Sequence, residues 1–257
     1  MSGSGTNKST RPYDPKGHGR DKAFETVHFA ETEPPDHLRS VVHRFLELKT
    51  QGALGEDYRF HALPDACTYV VLDQSDTRIA GVTRLKASSE ELNLGRSFHF
   101  VNIRFLPGVW QPTMEPVHYG LVDTPYSGAL PLVSLSAAVS AKGFAESQSD
   151  LSGFVDDLVH RGTVVPNPVT EKIFDQLEDI HCVADMAEAA HLSARQLQRT
   201  LKATTGFTPH DFLKVLRLQQ SLKGEPSLSY ADQSHFIHSF KRATGYTPAR
   251  YSKKFDV

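Results

Sequence analysis

LSARQLQRTLKATTGFTPHDF, residues 192–212, decides the reading of this chain, because it returns 39 positions later as ADQSHFIHSFKRATGYTPARY, residues 231–251. Aligned without a gap, Lys202 meets Lys241, Gly206 meets Gly245, and Thr205, Thr208 and Pro209 meet Thr244, Thr247 and Pro248. Large apolar side chains coincide too: Leu197 with Phe236, Leu201 with Phe240, Phe207 with Tyr246, Phe212 with Tyr251. Each copy spells one local structure. Ser193 or Asp232 can accept hydrogen bonds from the orphan amides of a helix start. Apolar residues four apart then give that helix a stripe to bury. Gly206 and Gly245 suit the left-handed residue that ends a helix, and Pro209 and Pro248 suit the first turn of the next. The unit is a helix, a glycine turn and a proline-started helix, written twice.

Ahead of the first copy, VADMAEAA followed by His191-Leu192 reads as a short helix and a tight turn, which is helix-turn-helix spacing. The helix after that turn carries Arg195, Gln198, Arg199 and Lys202 at spacings of three and four, so all four share one face. Arg and Gln make bidentate hydrogen bonds to guanine and adenine edges, and an α-helix fits the major groove. The same residues also make an ordinary solvated helix face, so chemistry alone leaves both readings open. The charge distribution leans toward a polyanion. The net charge is -2, but residues 193–257 hold 11 Lys and Arg against 4 Asp and Glu, while residues 1–192 hold 17 against 26. A basic segment of that size attracts nucleic acid by counterion release even within an acidic molecule.

Both copies resemble the reading head of the AraC/XylS family, which is two helix-turn-helix units joined by a long helix. LSARQLQRTLKATTGFTPHDFLKVLRL is similar to the family's first recognition helix and linking helix, and YADQSHFIHSFKRATGYTPARY to its C-terminal signature. The resemblance implies that Arg195, Gln198 and Arg199 face bases from the first helix, that Gln233, Ser234, Ile237 and His238 do so from the second, and that Lys202 and Lys241 approach phosphates. Two departures stand out. Between Leu222 and Tyr230 the chain offers only KGEPSLS where the family has a scaffold helix, and Gly224 and Pro226 leave little room for one. The second unit is therefore truncated, held by the linking helix and the N-terminal domain. Position 238 is His where the family usually places Arg, which weakens phosphate or guanine binding at neutral pH and makes it open to titration.

Outward from the head, the 257 residues, 39% of them hydrophobic, suffice for two modest cores. Residues 1–22 are Gly, Ser, Lys and Arg with almost nothing apolar and read as a disordered arm. Residues 23–133 contain short apolar or alternating runs, FLELKT, CTYVVLD, TRIAGV and SFHFVNIRF, cut by Gly, Pro and Asp, and read as a β-rich effector or dimerisation domain. In the last run His99, Val101, Ile103 and Phe105 point one way, and Phe98, Phe100, Asn102 and Arg104 the other. Residues 134–170 read as a helical connector and 171–257 as the head, so the expected fold class is α+β. HALPDACTYVVLD, RIAGV and VNIRFLPGVWQP are similar to an uncharacterised domain found in front of AraC-type heads. Family architecture then implies a small-molecule effector, with Asn102 and Arg104 beside Phe98 and Phe100 at the polar end of a pocket.

Other functions fit less well. The thirteen histidines show no metal-ligand spacing among His28, His37, His43, His61, His99 and His118, so no metal and no cofactor are expected. Heads of this kind also occur fused to repair enzymes, but Cys67 lies in an apolar strand with no His in its segment, and the two cysteines read as lone buried thiols. No catalysis is expected. A protein-interaction or ligand-sensing module with a degenerate head is the remaining alternative, discriminated by DNA-binding assays on Arg195→Ala and Arg199→Ala. No run has the length of a membrane span and the N-terminus lacks an apolar leader, so the expected location is the cytoplasm. The expected partners are double-stranded DNA, RNA polymerase, and a second copy of the chain or a helper that offsets the few base contacts of a truncated head.

Overall fold

The computed structural model describes residues 13–111, 114–223 and 233–256, apart from the side chains of Gln233 and His235. Nine of its strands, in the N-terminal half, are β1 His18–Asp21, β2 Val27–Thr32, β3 Val42–Thr50, β4 Tyr58–Ala62, β5 Thr68–Asp73, β6 Ala80–Arg84, β7 Glu90–Gly95, β8 His99–Phe105 and β9 His118–Tyr119. Helices follow: α1 Leu132–Lys142, α2 Gln148–His160, α3 Pro168–Asp175, α4 Val183–Ala189, α5 Ala194–Thr205, α6 Pro209–Leu222, α7 Gln233–Thr244 and α8 Pro248–Lys254, with a last short strand β10, Phe255–Asp256. Strands first and helices second make the chain α+β.

The strands form two sheets, a six-stranded one in the order β2-β3-β8-β5-β6-β9 and a four-stranded one in the order β10-β1-β4-β7. The central strand β8 shows why both of its faces are interior. Val101, Ile103 and Phe105 join Phe45, Val70, Leu72 and Val82 in a core completed by Leu132, Leu135 and Val139 of α1 and Leu151, Phe154, Val155 and Leu158 of α2. Residues 134–170, expected as a connector, thus give α1 and α2 to the outer layer of the six-stranded sheet. The opposite face packs against the smaller sheet: Leu48 and Phe100 meet Tyr58, Phe60 and Leu94, while Leu46, Tyr69 and Leu85 meet Ala62 and Leu92. Two layers of strands with period-two side chains therefore enclose a second core between them.

The stretch expected to be a disordered arm is corrected over its described part. Tyr13 is buried and stacks on Phe174 of α3 with ring centroids 4.3 Å apart. The backbone N–H of Lys16 donates to the Gln219 side chain of α6 at 2.7 Å. Then β1 pairs with β4 on one side and β10 on the other. Little apolar surface is needed, because β1 is ordered by ladder hydrogen bonds; residues 1–12 lie outside the described residues. Cysteine burial is corrected as well, for Cys67 is buried but Cys182 is exposed, at the start of α4.

Candidate nucleic-acid interface

The first unit is built as its residues dictate. After α4 the chain turns through His191 in the left-handed region, φ 55°, and the amide of Leu192 donates to the Ala187 carbonyl at 2.9 Å. Ser193 then caps α5 in a reciprocal box: its hydroxyl accepts from the Gln196 amide at 3.3 Å and its own amide donates to Gln196 Oε1 at 3.0 Å. Leu197 and Leu201 are buried, while Arg195, Gln198, Arg199 and Lys202 are exposed on the other face. Lys202 Nζ donates to the Gly206 carbonyl at 2.9 Å, so in the free protein this ammonium closes the helix end. Leu197, Leu201, Phe207 and Phe212 share one core with Met186, Ala187 and Ala190, so α4, α5 and α6 support one another.

The second unit lacks that private core. Phe240 of α7 is buried with Leu63 of the N-terminal domain, Leu218 of α6, Tyr251 of α8 and Phe255, with Phe236 packed against them. Ser234, Ile237, His238 and Lys241 are exposed on the opposite side; Gln233 is helical, but its side chain lies outside the described residues. The expectation that no scaffold helix fits between Leu222 and Tyr230 falls mostly on residues 224–232, which also lie outside them, as does the capping residue Asp232. The truncated unit is held where the sequence suggested, by the linking helix and the N-terminal domain.

The two recognition helices end alike and are gripped alike. The Thr205 hydroxyl donates to the Leu201 carbonyl at 2.6 Å and accepts from the Phe207 amide at 3.1 Å; the Thr244 hydroxyl does the same with Phe240 at 2.9 Å and Tyr246 at 3.2 Å. Gly206 and Gly245 follow in the left-handed region at φ 79° and 80°. The carbonyl of Thr205 accepts from the buried Arg84 guanidinium at 2.6 Å, and the carbonyl of Thr244 accepts from His61 Nε2 at 3.0 Å. A donor, cationic in Arg84, thus sits at the negative end of each helix dipole. Arg84 is tied back by Thr68 Oγ1 at 2.9 Å, and His61 stacks on Phe255 at 4.7 Å. Burial holds the His61 pKa below its ordinary value, so the ring is neutral at pH 7 and donates through Nε2–H. Sequence reasoning missed both grips. Neither residue belongs to a motif, and their partners lie more than a hundred positions away.

Both grips stand beside a cavity of about 100 Å³ between the sheets, lined by Asn102 and Arg104 among largely apolar neighbours. Phe100 is in its wall too, whereas Phe98 packs in the neighbouring core. Phe60 faces the cavity while the next residue, His61, holds α7; Thr83 faces it while Arg84 holds α5; Leu92 faces it while Glu91 accepts from the Tyr246 hydroxyl at 3.3 Å. Period-two alternation puts a cavity wall and a head contact on the same three strands. Arg104 is buried and donates to His43 Nδ1 at 2.9 Å and to Glu31 Oε1 at 3.3 Å. With Nδ1 accepting, His43 carries its proton on Nε2, which donates to Asp14 at 2.8 Å. Burial and the charge of Arg104 push the His43 pKa down to about 3, so that ring is neutral. Cys67 is an unlikely place for nucleophilic chemistry on physical grounds: burial, aided by Asp65, raises its thiol well above the ordinary value.

A β-sandwich bearing two repeat-related helices, each with an exposed polar face, defines the class: an α+β protein whose C-terminal helices include a helix-turn-helix unit. Comparison with known proteins makes this more particular. Residues 30–119 match the family model described as a domain of unknown function, DUF6597. The HTH-type transcriptional regulator MtrA of Neisseria gonorrhoeae is 33% identical over 95 residues, covering 33% of this chain and 32% of that protein. The chain thus spans about a third of the length of the curated relative it matches. Solved structures of ToxT from Vibrio cholerae align with TM-scores of 0.42 at 13% identity, covering 83% of this chain and 99% of that one, and 0.42 at 15% identity, covering 80% and 96%.

Proposed function

We propose that the chain is a sequence-specific DNA-binding transcriptional regulator of the AraC type, which reads promoter DNA in the major groove and performs no catalysis. One observation carries this reading. Two helices related by the internal repeat turn their apolar sides inward and leave Arg195, Gln198 and Arg199 on α5, and Ser234, Ile237 and His238 on α7, facing out from one head. Double-stranded DNA is the partner, RNA polymerase and a second copy of the chain are further ones, and the site of action is the cytoplasm. The test is selection of fragmented genomic DNA by the purified protein across a salt titration. A shared motif that the Arg195→Ala, Arg199→Ala double variant loses supports the reading. Salt-sensitive binding without a motif, equal in both proteins, would reduce the head to a polyanion surface or an interaction module. Loss of two base-reading arginines is expected to weaken specific binding by at least about thirtyfold, taking about 1–3 kcal/mol per bidentate contact.

The intersheet cavity is the effector site in this reading, with Asn102 and Arg104 at its polar end. Its support is the sharing of β4 and β6 between the cavity wall and the contacts to the two recognition helices.

A further inference from the structure

The cavity has an unusual balance of polar groups. Its wall is largely aliphatic and aromatic, from Phe29, Leu46, Leu48, Phe60 and Val71 among others. His18 adds an aromatic face, stacking on Phe29 at 4.5 Å, and burial together with the charge of Arg104 pushes its pKa down to about 3, so it brings no charge. Three charged side chains line this apolar space, and each already has a partner: Arg104 is paired with the half-exposed Glu31, and Glu47 with Lys49 and His99. Arg104 is further occupied by His43 and lies beside Asp65, whose carboxylate accepts from the Tyr69 hydroxyl. Asn102 differs from all of these. Its Oδ1 is shielded from solvent and has no hydrogen-bond partner among the described residues. A buried amide oxygen left so bears the desolvation penalty of an unmade hydrogen bond.

We propose that this cavity takes an uncharged, largely apolar small molecule with a single amide or hydroxyl group, which donates to Asn102 Oδ1. The proposal rests on reading the cavity as a ligand site and names the class of ligand. A carboxylate would have to compete with Glu31 for a guanidinium that His43 and Asp65 also face, and an ammonium would enter beside that guanidinium, so either brings a like charge against the groups already there. A neutral donor leaves the pair intact and satisfies the orphaned oxygen, while its apolar body replaces water against the wall. The amide of Asn102 carries a donor beside its acceptor, so a ligand amide can be met on both sides. The space, near 100 Å³, is smaller than the engineered apolar cavities of about 150 Å³ that hold benzene, so it takes a body of about three or four carbons.

Three small probes with the same alkyl body test this on the full chain without DNA: propanamide, propanoate and propylamine, titrated by calorimetry and by the shift in thermal midpoint. The amide is expected to bind at least tenfold more tightly than the carboxylate or the amine, and Asn102→Leu to erase that preference. Asn102→Asp is a second variant in case the first unfolds, and it should retain acceptance from a neutral donor while favouring the amine more than the parent does. Tightest binding by the propanoate, no binding by any probe, or an amide preference unchanged in Asn102→Leu overturns the proposal. Because the readout needs no DNA, a protein that takes the amide but selects no DNA motif would sink only the reading of the head, and the reverse result only the reading of the cavity.

Discussion

The two copies of the repeat end in the same threonine–glycine turn, yet they stand on different foundations. The first unit has a scaffold helix, α4, and a core made almost wholly within the head. The second buries Phe240 against Leu63 from the sandwich and Leu218 from α6, and its last strand joins a sheet of the N-terminal domain. A repeat conserves what the sequence of each copy builds locally and says nothing about what each copy leans on. The sandwich supports the second unit as it does not support the first, which makes the position of α7 a property of both domains.

The largest expected effect follows from cutting that support away. A fragment of residues 167–257 should keep the amides of α4, α5 and α6 protected from hydrogen exchange and lose protection throughout α7 and α8, by at least a hundredfold. Equal protection in both units would show that the second stands unaided. A finer comparison uses the two glycines that end the recognition helices. Both need positive φ, so either alanine costs about 1 kcal/mol of strain. A methyl at Gly206 would also meet Arg84 Nη1 at 2.9 Å and the Tyr119 hydroxyl at 3.1 Å, whereas at Gly245 nothing lies within 4 Å. Gly206→Ala is therefore expected to lower the denaturation midpoint about twice as far as Gly245→Ala, and equal losses would separate the Arg84 grip from stability.

The smallest effect is one of pH. Arg84 keeps its proton at every accessible pH, but His61 titrates, in the company of Glu91, Lys254, Tyr246 and Tyr251. Its folded pKa lies below the unfolded value of about 6.5. The unfolded state consequently binds more protons in that window, and the contribution of neutral His61 is complete above pH 6.5 and fades as the pH falls through the folded pKa. His18 and His43, at about 3, weaken the sandwich over the same acid range. Hydrogen exchange compared between pH 7 and pH 5 should therefore show α7 losing several-fold more protection than α5. In His61→Gln that difference should vanish; its persistence would mean that another group carries it.

What could be read from the sequence was what neighbours determine. The helix starts at Ser193, Pro209 and Pro248, the strands at 68–73 and 99–105, and the two faces of β8 follow from capping chemistry and alternation over a few residues. What escaped depends on remote partners. HGRD, residues 18–21, has no apolar period, and its glycine looked like slack. In the structure Gly19 is a point of close packing, where a methyl would collide with the Tyr251 hydroxyl. Of the interface, the exposed faces of α5 and α7 were legible; the grips of Arg84 and His61 were not, because nothing within their own strands distinguishes them. Of the cavity, alternation picked out Asn102 and Arg104 together, but the ion pair with Glu31 on β2 that occupies Arg104 could be seen only in three dimensions.

The pairing of β1 with β10 has a consequence for how the chain comes into being. Lys22 and Ser252 are joined by a hydrogen bond across 230 residues of sequence, and the neighbouring ladder closes only when residues 255 and 256 are free to reach back to 20 and 21. During synthesis the small sheet must wait with an open edge at β1 until residues 255 and 256 have left the ribosome. Contacts of such separation form slowly, and an unpaired edge is open to other strands meanwhile. Bulk introduced directly after Asp256 would burden this step, by which two segments more than two hundred residues apart are sewn together.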